Sequence, residues 1–456
     1  MFSLLELPQE VLDAVVALVE GRQDRRALRL ASPRTRAVVD AAVSAVVHPK
    51  PPGAPPGGAH YAVELPAPVP VLCAAPWSLH RLVLTHLKLT LGDVSALAAQ
   101  TRSAWPLLEE LSLENCSVGD AGVRALRTGS WACLKHLNLN GDGLPSLGDA
   151  AAADLAGAAL PNLESLELRG AALTAQGAAH LARVAWPKLQ RLDLTHSELS
   201  VQAPSARVLG AEGAAALSRG AWPDLRHLEL NLQMLGDAGL AALATAAWPK
   251  LQRLDIHRNY FGDAGAARLV AWPDLEELDI GYSSLTDAGV AALVGAGRPK
   301  LRKLGLSGND LRAPALGRLN ALEELDVSEM GLGAEGGAAL AAAGLPKLRT
   351  LHISLVGPGL VEELVKAKWE SLALVRVLRS WMGDRNVYEG YCALQRRWPL
   401  GVEYVPEIED GEESSDPDAD DDVYVREGCI MSRGYGMYGG GGEMYGCPST
   451  SSSDDY

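Results

Sequence analysis

LQRLDIHRNYFGDAGAARLVAWP, residues 251–273, is the stretch on which the fold turns. Leu251, Leu254 and Ile256 stand in an L-x-x-L-x-L spacing with polar side chains between them, as in a strand that buries one face. Past the turn, Ala264, Ala267, Leu269 and Val270 read as the apolar face of a short helix, which Trp272-Pro273 ends. One strand, turn and helix of this length cannot bury its own leucines. Copies must stack on one another, and the chain supplies them.

The same spacing begins at Leu79, Leu108, Leu134, Leu163, Leu189, Leu225, Leu251, Leu275, Leu301, Leu322 and Leu348, in steps of 29, 26, 29, 26, 36, 26, 24, 26, 21 and 26 residues. All but the step of 36 fit a strand-and-helix repeat of roughly 20 to 29 residues. The long step carries an insertion, Val201 to Val208, expected to bulge from one face. A weaker copy at Leu372, Val375 and Val377 extends the register, and Trp398-Pro399 before Val402 to Val405 reads as a terminal strand. The sequence thus predicts a parallel sheet lining a curved solenoid, a horseshoe with helices on the convex side.

Three positions recur within the unit. Asp237, Asp263, and Thr286 with Asp287 stand where a helix N-terminus wants an oxygen acceptor and a negative charge. Gly122, Gly177, Gly213, Gly239, Gly265, Gly289 and Gly336 share one slot; glycine costs about 1 kcal/mol against alanine inside a helix, so its recurrence implies close packing. Trp105, Trp131, Trp186, Trp222, Trp248 and Trp272 precede strands, all but Trp131 followed by proline. Identical rings at identical positions are expected to stack and seal an edge rather than form an aromatic cage.

On these residues the chain resembles the leucine-rich-repeat family, in its ribonuclease-inhibitor-like class with helical convex sides, over roughly residues 79 to 355. The turn asparagine of that family stands at Asn259 and Asn309, while Cys116, Ala171, Ser197, Ser283 and Met330 replace it, and a looser turn is expected there.

Residues 1–48 break the register and read as three short helices. The first runs from Pro8 to Glu20 and stops at Gly21; Asp24 caps the second, and Ser32-Pro33 opens a third through Val47. Leu7-Pro8-x-Glu10-Val11-Leu12, followed by Leu28-Arg29-Leu30-Ala31-Ser32-x-Arg34-x-Arg36, resembles the F-box motif. That resemblance implies that Leu7, Pro8, Val11, Leu12, Val15 and Leu18 supply an apolar surface for a Skp1-like adaptor. The chain departs from the motif in lacking its tryptophan near the third helix, where Thr35 stands, and in the polar spacer Gly21 to Arg26. The same helices also suit a cap over the first repeat, and the two roles are compatible.

Residues 49–70 are rich in proline and glycine and read as a linker, residues 71–405 as the solenoid, and residues 406–456 as a disordered tail. Ten acids crowd Glu407 to Asp422, and the Gly434-x-Gly436-x-x-Gly439 that follows lacks the strand and helix a dinucleotide fingerprint needs. Of the net charge of −15, −12 lies after Pro406. The folded part, close to neutral, lacks the clustered cations that nucleic acid or an anionic membrane demands. Six cysteines form no CxxC or Cys/His cluster, nothing at the N-terminus looks like a signal peptide, and no apolar run is long enough to span a bilayer. These features fit a reduced intracellular protein, cytoplasmic or nuclear.

Alternation along each strand sends the residues flanking the inward leucine to the concave face. The middle column is Glu167, Asp193, Glu229, Asp255 and Asp279, resuming at Asp326 after Gly305. Carboxylates about 4.8 Å apart repel and raise one another's pKa. Arg169, Arg191, His227, Arg253 and His257 lie beside them, so the column is either a groove for a partner with basic groups or is neutralised within the sheet. Arg191, Asp193, His227, Glu229, Arg253, Asp255, His257, Asp279 and the strand-end aromatic Tyr282 are the candidate partner-binding residues. His227 and His257 lie roughly 13 Å apart along the strands, too far to share a metal. Neither a cofactor, a small-molecule ligand nor catalytic residues are inferred.

The two resemblances together imply the substrate-receptor subunit of an SCF-type ubiquitin ligase, holding a protein target on the concave face. The alternatives are a non-degradative scaffold of cytoskeletal or axonemal assemblies, and GTPase activation, for which no residue speaks.

Overall fold

A leucine at every second strand position pairs best with its own copy in the next repeat, and that pairing sets the register of the whole sheet. The computed structural model describes residues 80–405, except 104, 142–146, 198–206, 296, 355–358, 379–384 and 400, together with 424–426 and 429–431. Thirteen strands form one parallel sheet in chain order. They are β1 (Arg81–Thr85), β2 (Glu110–Glu114), β3 (His136–Asn138), β4 (Ser165–Glu167), β5 (Arg191–Asp193), β6 (His227–Glu229), β7 (Arg253–Asp255), β8 (Glu277–Asp279), β9 (Lys303–Gly305), β10 (Glu324–Val327), β11 (Thr350–Ile353), β12 (Leu374–Leu378) and β13 (Val402–Val405). Leu192 lies opposite Leu228, Leu228 opposite Leu254, and Leu254 opposite Leu278, an unbroken buried column. The last two strands include the weaker copy and the terminal strand that the spacing predicts. A helix follows most strands on the opposite side, so the fold is a leucine-rich-repeat solenoid with its core between sheet and helices.

The buried helical face differs from the one the spacing suggests. In the defining repeat the helix Asp263–Ala266 is only 4 residues long and passes into a 3-10 turn, Ala267–Ala271. Gly265, Ala266 and Leu269 are buried, whereas Ala264, Ala267 and Val270 face solvent. The tighter turn rotates the chain, and one row of alanines offers too little contrast to mark the inner side.

The recurrent aspartates also act differently from a helix cap. Asp237 Oδ1 accepts from the backbone N–H of Gly262 at 2.9 Å and of Gly265 at 2.8 Å, both in the next repeat. Asp149 does the same for Thr174 and Gly177, and Asp287 for Arg312 and Ala313. Asp237 and Asp149 therefore satisfy orphan amides at the neighbour's helix start, and Asp287 does so for the loop between β9 and β10. The glycine slot makes this possible: a Cβ on Gly265 would lie 2.7 Å from Asp237 Oδ1, and one on Gly177 or Gly289 would also collide with the aspartate before it.

The tryptophans stack as the spacing predicts. Trp186, Trp222, Trp248 and Trp272 lie with ring centroids 6.4, 6.0 and 6.3 Å apart, nearly parallel and buried. In the next repeat Arg298 takes the tryptophan's place, 2% exposed, with Nη1 donating to the carbonyl of Trp272 at 2.6 Å.

The F-box-like residues Leu7, Pro8, Val11, Leu12, Val15 and Leu18, the linker and most of the insertion at Val201 lie outside the described residues. In the segment read as a disordered tail, Tyr424–Arg426 pairs antiparallel with Cys429–Met431. Val425 and Ile430 are β-formers, a local signal that the acidic composition of the tail masks.

Candidate functional site

The concave face is built strand by strand from the residues on either side of the buried leucine. Across β4 to β10 the register aligns Glu167, Asp193, Glu229, Asp255, Asp279, Gly305 and Asp326 in one column. A second column holds Ser165, Arg191, His227, Arg253, Glu277, Lys303 and Glu324. The structure thus places Arg191, Asp193, His227, Glu229, Arg253, Asp255 and Asp279 side by side on β5 to β8. His257 lies beyond the end of β7, its Nδ1 3.5 Å from Asp255 Oδ1.

Pairing along this surface is uneven. Arg191 bridges two strands, with Glu229 Oε1 at 2.9 Å and Glu167 Oε1 at 3.6 Å. Arg253 turns to Glu277 in its own column, at 2.7 Å, and Lys303 to Glu324, at 3.2 Å. The cations therefore neutralise mainly their own column and the Glu167–Glu229 end of the other. Asp279 and Asp326 form no ion pair among the described residues; Asp279 Oδ1 accepts from Gly281 N–H, and Asp326 Oδ1 from Ser328 N–H and Oγ–H.

This unevenness changes acidity. Burial, then the neighbouring carboxylate of Asp193, pushes Glu229 up to about 7 against the pull of Arg191. Burial and the Asp255 carboxylate push Asp279 up to about 6. Repulsion within the column, expected from strand spacing, is present but ranks below the loss of solvent. Burial and the cations Arg253 and Arg191 hold His227 below its usual pKa. Asp193 is 2% exposed and accepts from the N–H of Thr195.

Gly305 interrupts the column and lies in the lining of a hollow of about 340 Å³ on the sheet surface. Its polar lining is Glu229, Asp255, Glu277, Asp279, Glu324 and Asp326, together with Arg253, Lys303 and His352. The Asp279 carboxylate leans toward the missing side chain, with Oδ1 2.6 Å from where a Cβ of Gly305 would be. Among the described residues no group of His, Cys, Asp and Glu is arranged to hold a metal ion.

Tyr282 sits off the sheet, in the loop after β8, with a left-handed backbone at φ 49°. The Arg258 guanidinium lies 4.7 Å from its ring centre, its hydroxyl donates to Glu329, and its ring covers Gly308, where a Cβ has no room. It is a fixed part of the rim, held from three repeats. Tyr260 and Met234, also left-handed in the equivalent turn of adjacent repeats, are the exposed large side chains of this rim.

The rim is rigid because the turn residues bridge repeats. Asn259, fully buried, donates from Nδ2 to the carbonyls of Leu230 and Ile256, each at 2.8 Å, and accepts at Oδ1 from Gln233 and Leu235 N–H. Asn309 repeats the arrangement. Gln233, which the asparagine pattern overlooks, does the same one repeat earlier: its amide donates to the Leu194 carbonyl and accepts from Leu209 N–H. At Cys116 the turn also stays tied to the preceding repeat, through an Sγ–H bond to the Leu84 carbonyl at 3.2 Å.

Residues 106–126 and 273–294 match the family model described as Leucine Rich repeat, and the chain carries leucine-rich repeats. Among solved structures it is similar to a chain of the TLR13–ssRNA13 complex, with 16% identity, 72% of this chain and 46% of that one covered, and a TM-score of 0.45. This chain thus spans about half the length of that protein. An internalin of Listeria monocytogenes str. 4b F2365 is 19% identical over 65% of this chain and 86% of its own, at a TM-score of 0.39. A chain of the yeast Rad7 and Elc1 complex is 16% identical over 72% of this chain and 87% of that one, at a TM-score of 0.38. No curated protein matches the sequence.

Proposed function

We propose that the protein is the substrate-receptor subunit of an SCF-type ubiquitin ligase and binds a protein target on the concave sheet face. The supporting observation is the face itself: a rigid platform of aligned, chemically varied side chains, against outer helices that repeat alanine and glycine. Binding energy concentrates where a few convergent side chains are held in place, and the sheet offers that. Arg191, Glu229, Arg253, Asp255 and His257, with Tyr282 on the rim, are the contact residues in this reading.

The adaptor half rests on the F-box resemblance of residues 1–48. Leu7, Pro8, Val11, Leu12, Val15 and Leu18 dock on a Skp1-like adaptor, and the ligase chemistry belongs to other chains. The receptor's contribution is proximity, holding the target near the transferring enzyme. Co-precipitation of Skp1 with the full chain tests this half. Association that is lost in Leu7→Ala with Pro8→Ala supports it; association that survives rejects the surface. A chain that never binds Skp1 is instead a scaffold whose helices cap the solenoid.

A further inference from the structure

We propose that the hollow over Gly305 receives a lysine or arginine side chain, so that the target recognised on this face presents a basic segment. The inference rests on the concave-face reading and specifies its occupant.

Four observations converge on this stretch of sheet. Gly305 is the one position of the middle column between Glu167 and Asp326 without a side chain, and it lines the hollow. The two carboxylates flanking it, Asp279 and Asp326, form no ion pair among the described residues, unlike Glu167, Glu229, Glu277 and Glu324. Asp279 extends both carboxylate oxygens toward the gap. Glu229, Asp255, Glu277, Asp279, Glu324 and Asp326 face Arg253 and Lys303 around the hollow, an excess of acidic over basic side chains. Arg253 and Lys303 are already held by Glu277 and Glu324, so neither is placed to neutralise the floor.

An anionic ligand would meet that excess and lose its hydration for nothing. An apolar side chain would bury carboxylates without a partner. A long cationic side chain brings its aliphatic stem along the sheet and its charge to Asp279 and Asp326, and a guanidinium can engage both carboxylates at once. Its arrival also offsets the burial and the Asp255 repulsion that raise the pKa of Asp279.

The test uses fluorescence anisotropy with the full chain and a fluorescein-labelled peptide of alternating alanine and lysine, against an alanine–glutamate control. Three variants separate the hollow from the acidic tail. Gly305→Lys sets the chain's own cation in the hollow and displaces the Asp279 carboxylate, which lies 2.6 Å from where its Cβ would be. Asp279→Asn with Asp326→Asn keeps the shape and removes the charge, and Asp418→Asn with Asp420→Asn, Asp421→Asn and Asp422→Asn removes four of the ten clustered acids of the tail. The lysine peptide is expected to bind the wild type and the tail variant within about twofold of each other, and both hollow variants at least about tenfold more weakly. No binding to the wild type, unchanged binding to Asp279→Asn with Asp326→Asn, or a loss that follows the tail variant overturns the proposal. Should it fail while partner capture still depends on Arg253 and Asp255, the basic determinant falls and the concave-face reading stands.

Discussion

Glu229→Gln is expected to flatten the dependence of stability on pH. Glu229 lies between Asp193 and Asp255 across the sheet, and its pKa rises from 4.5 to about 7. The unfolded chain therefore releases this proton near pH 4.5, and the folded chain only near 7. Between those values the folded state binds more protons, so stability falls as pH rises and the loss is complete above about 7. A shift of this size corresponds to about 3 kcal/mol at most. Glutamine removes the penalty and also the Arg191 contact, worth about 1 kcal/mol or less at a half-exposed arginine. The variant should be roughly 1–2 kcal/mol more stable than wild type at pH 8, and equal or slightly less stable at pH 5. Urea unfolding at pH 5, 6, 7 and 8, followed by tryptophan fluorescence, reads the buried Trp186–Trp272 stack directly. Asp279 contributes its own slope to both proteins and cancels in the difference. Parallel pH profiles for the two proteins, or a variant that loses ground as pH rises, would refute the reasoning.

Asn259→Ala should cost about 3–5 kcal/mol in urea unfolding, because it leaves the carbonyls of Leu230 and Ile256 and the amides of Gln233 and Leu235 buried without partners. Gly265→Ala should lower stability by about 1–3 kcal/mol through loss of the two Asp237 bonds, whereas Gly295→Ala, with nothing within 4 Å of its Cβ, should not; equal effects on the melting temperature would contradict the interlocking role. Burial pushes the Cys116 thiol up to about 12, so maleimide labelling at pH 7.5 should reach Cys116 only in denaturant, and rapid labelling of the native chain there would count against the packed turn.

The strand register was legible because two signals agree. Leucine recurs with a period of two inside each copy, and the copies recur at similar intervals, so the pairings of Leu192, Leu228 and Leu254 follow from alignment of the sequence with itself. The helical side was less legible. Ala264, Ala266 and Ala267 differ in burial but not in chemistry, and a helix of 4 residues is too short to show a period. Asp237 was visible as a helix-start residue, yet its partners belong to the next repeat, a contact that only stacking creates. Gln233 escaped notice because its role depends on reach from a turn position rather than on the expected asparagine. In the candidate site, the column from Glu167 to Asp326 could be read in order, including the gap at Gly305. Which cation goes to which carboxylate could not, since Arg253 chooses Glu277 over Asp255 by side-chain geometry. Tyr282 was found as a strand-end aromatic, but its clamp by Arg258 and Glu329 joins residues 47 positions apart.

The most direct test of the concave-face account is partner capture from native cell extract with three forms of the full chain, compared by quantitative mass spectrometry. These are the wild type, Arg253→Glu with Asp255→Lys on the sheet, and Arg268→Glu on the outer turn. The account predicts that the sheet variant, folded by circular dichroism, loses at least about tenfold of the wild type's specific partner while the outer variant retains it. Retention by the sheet variant, with loss from the Arg268 variant, would contradict it and move the site to the convex side.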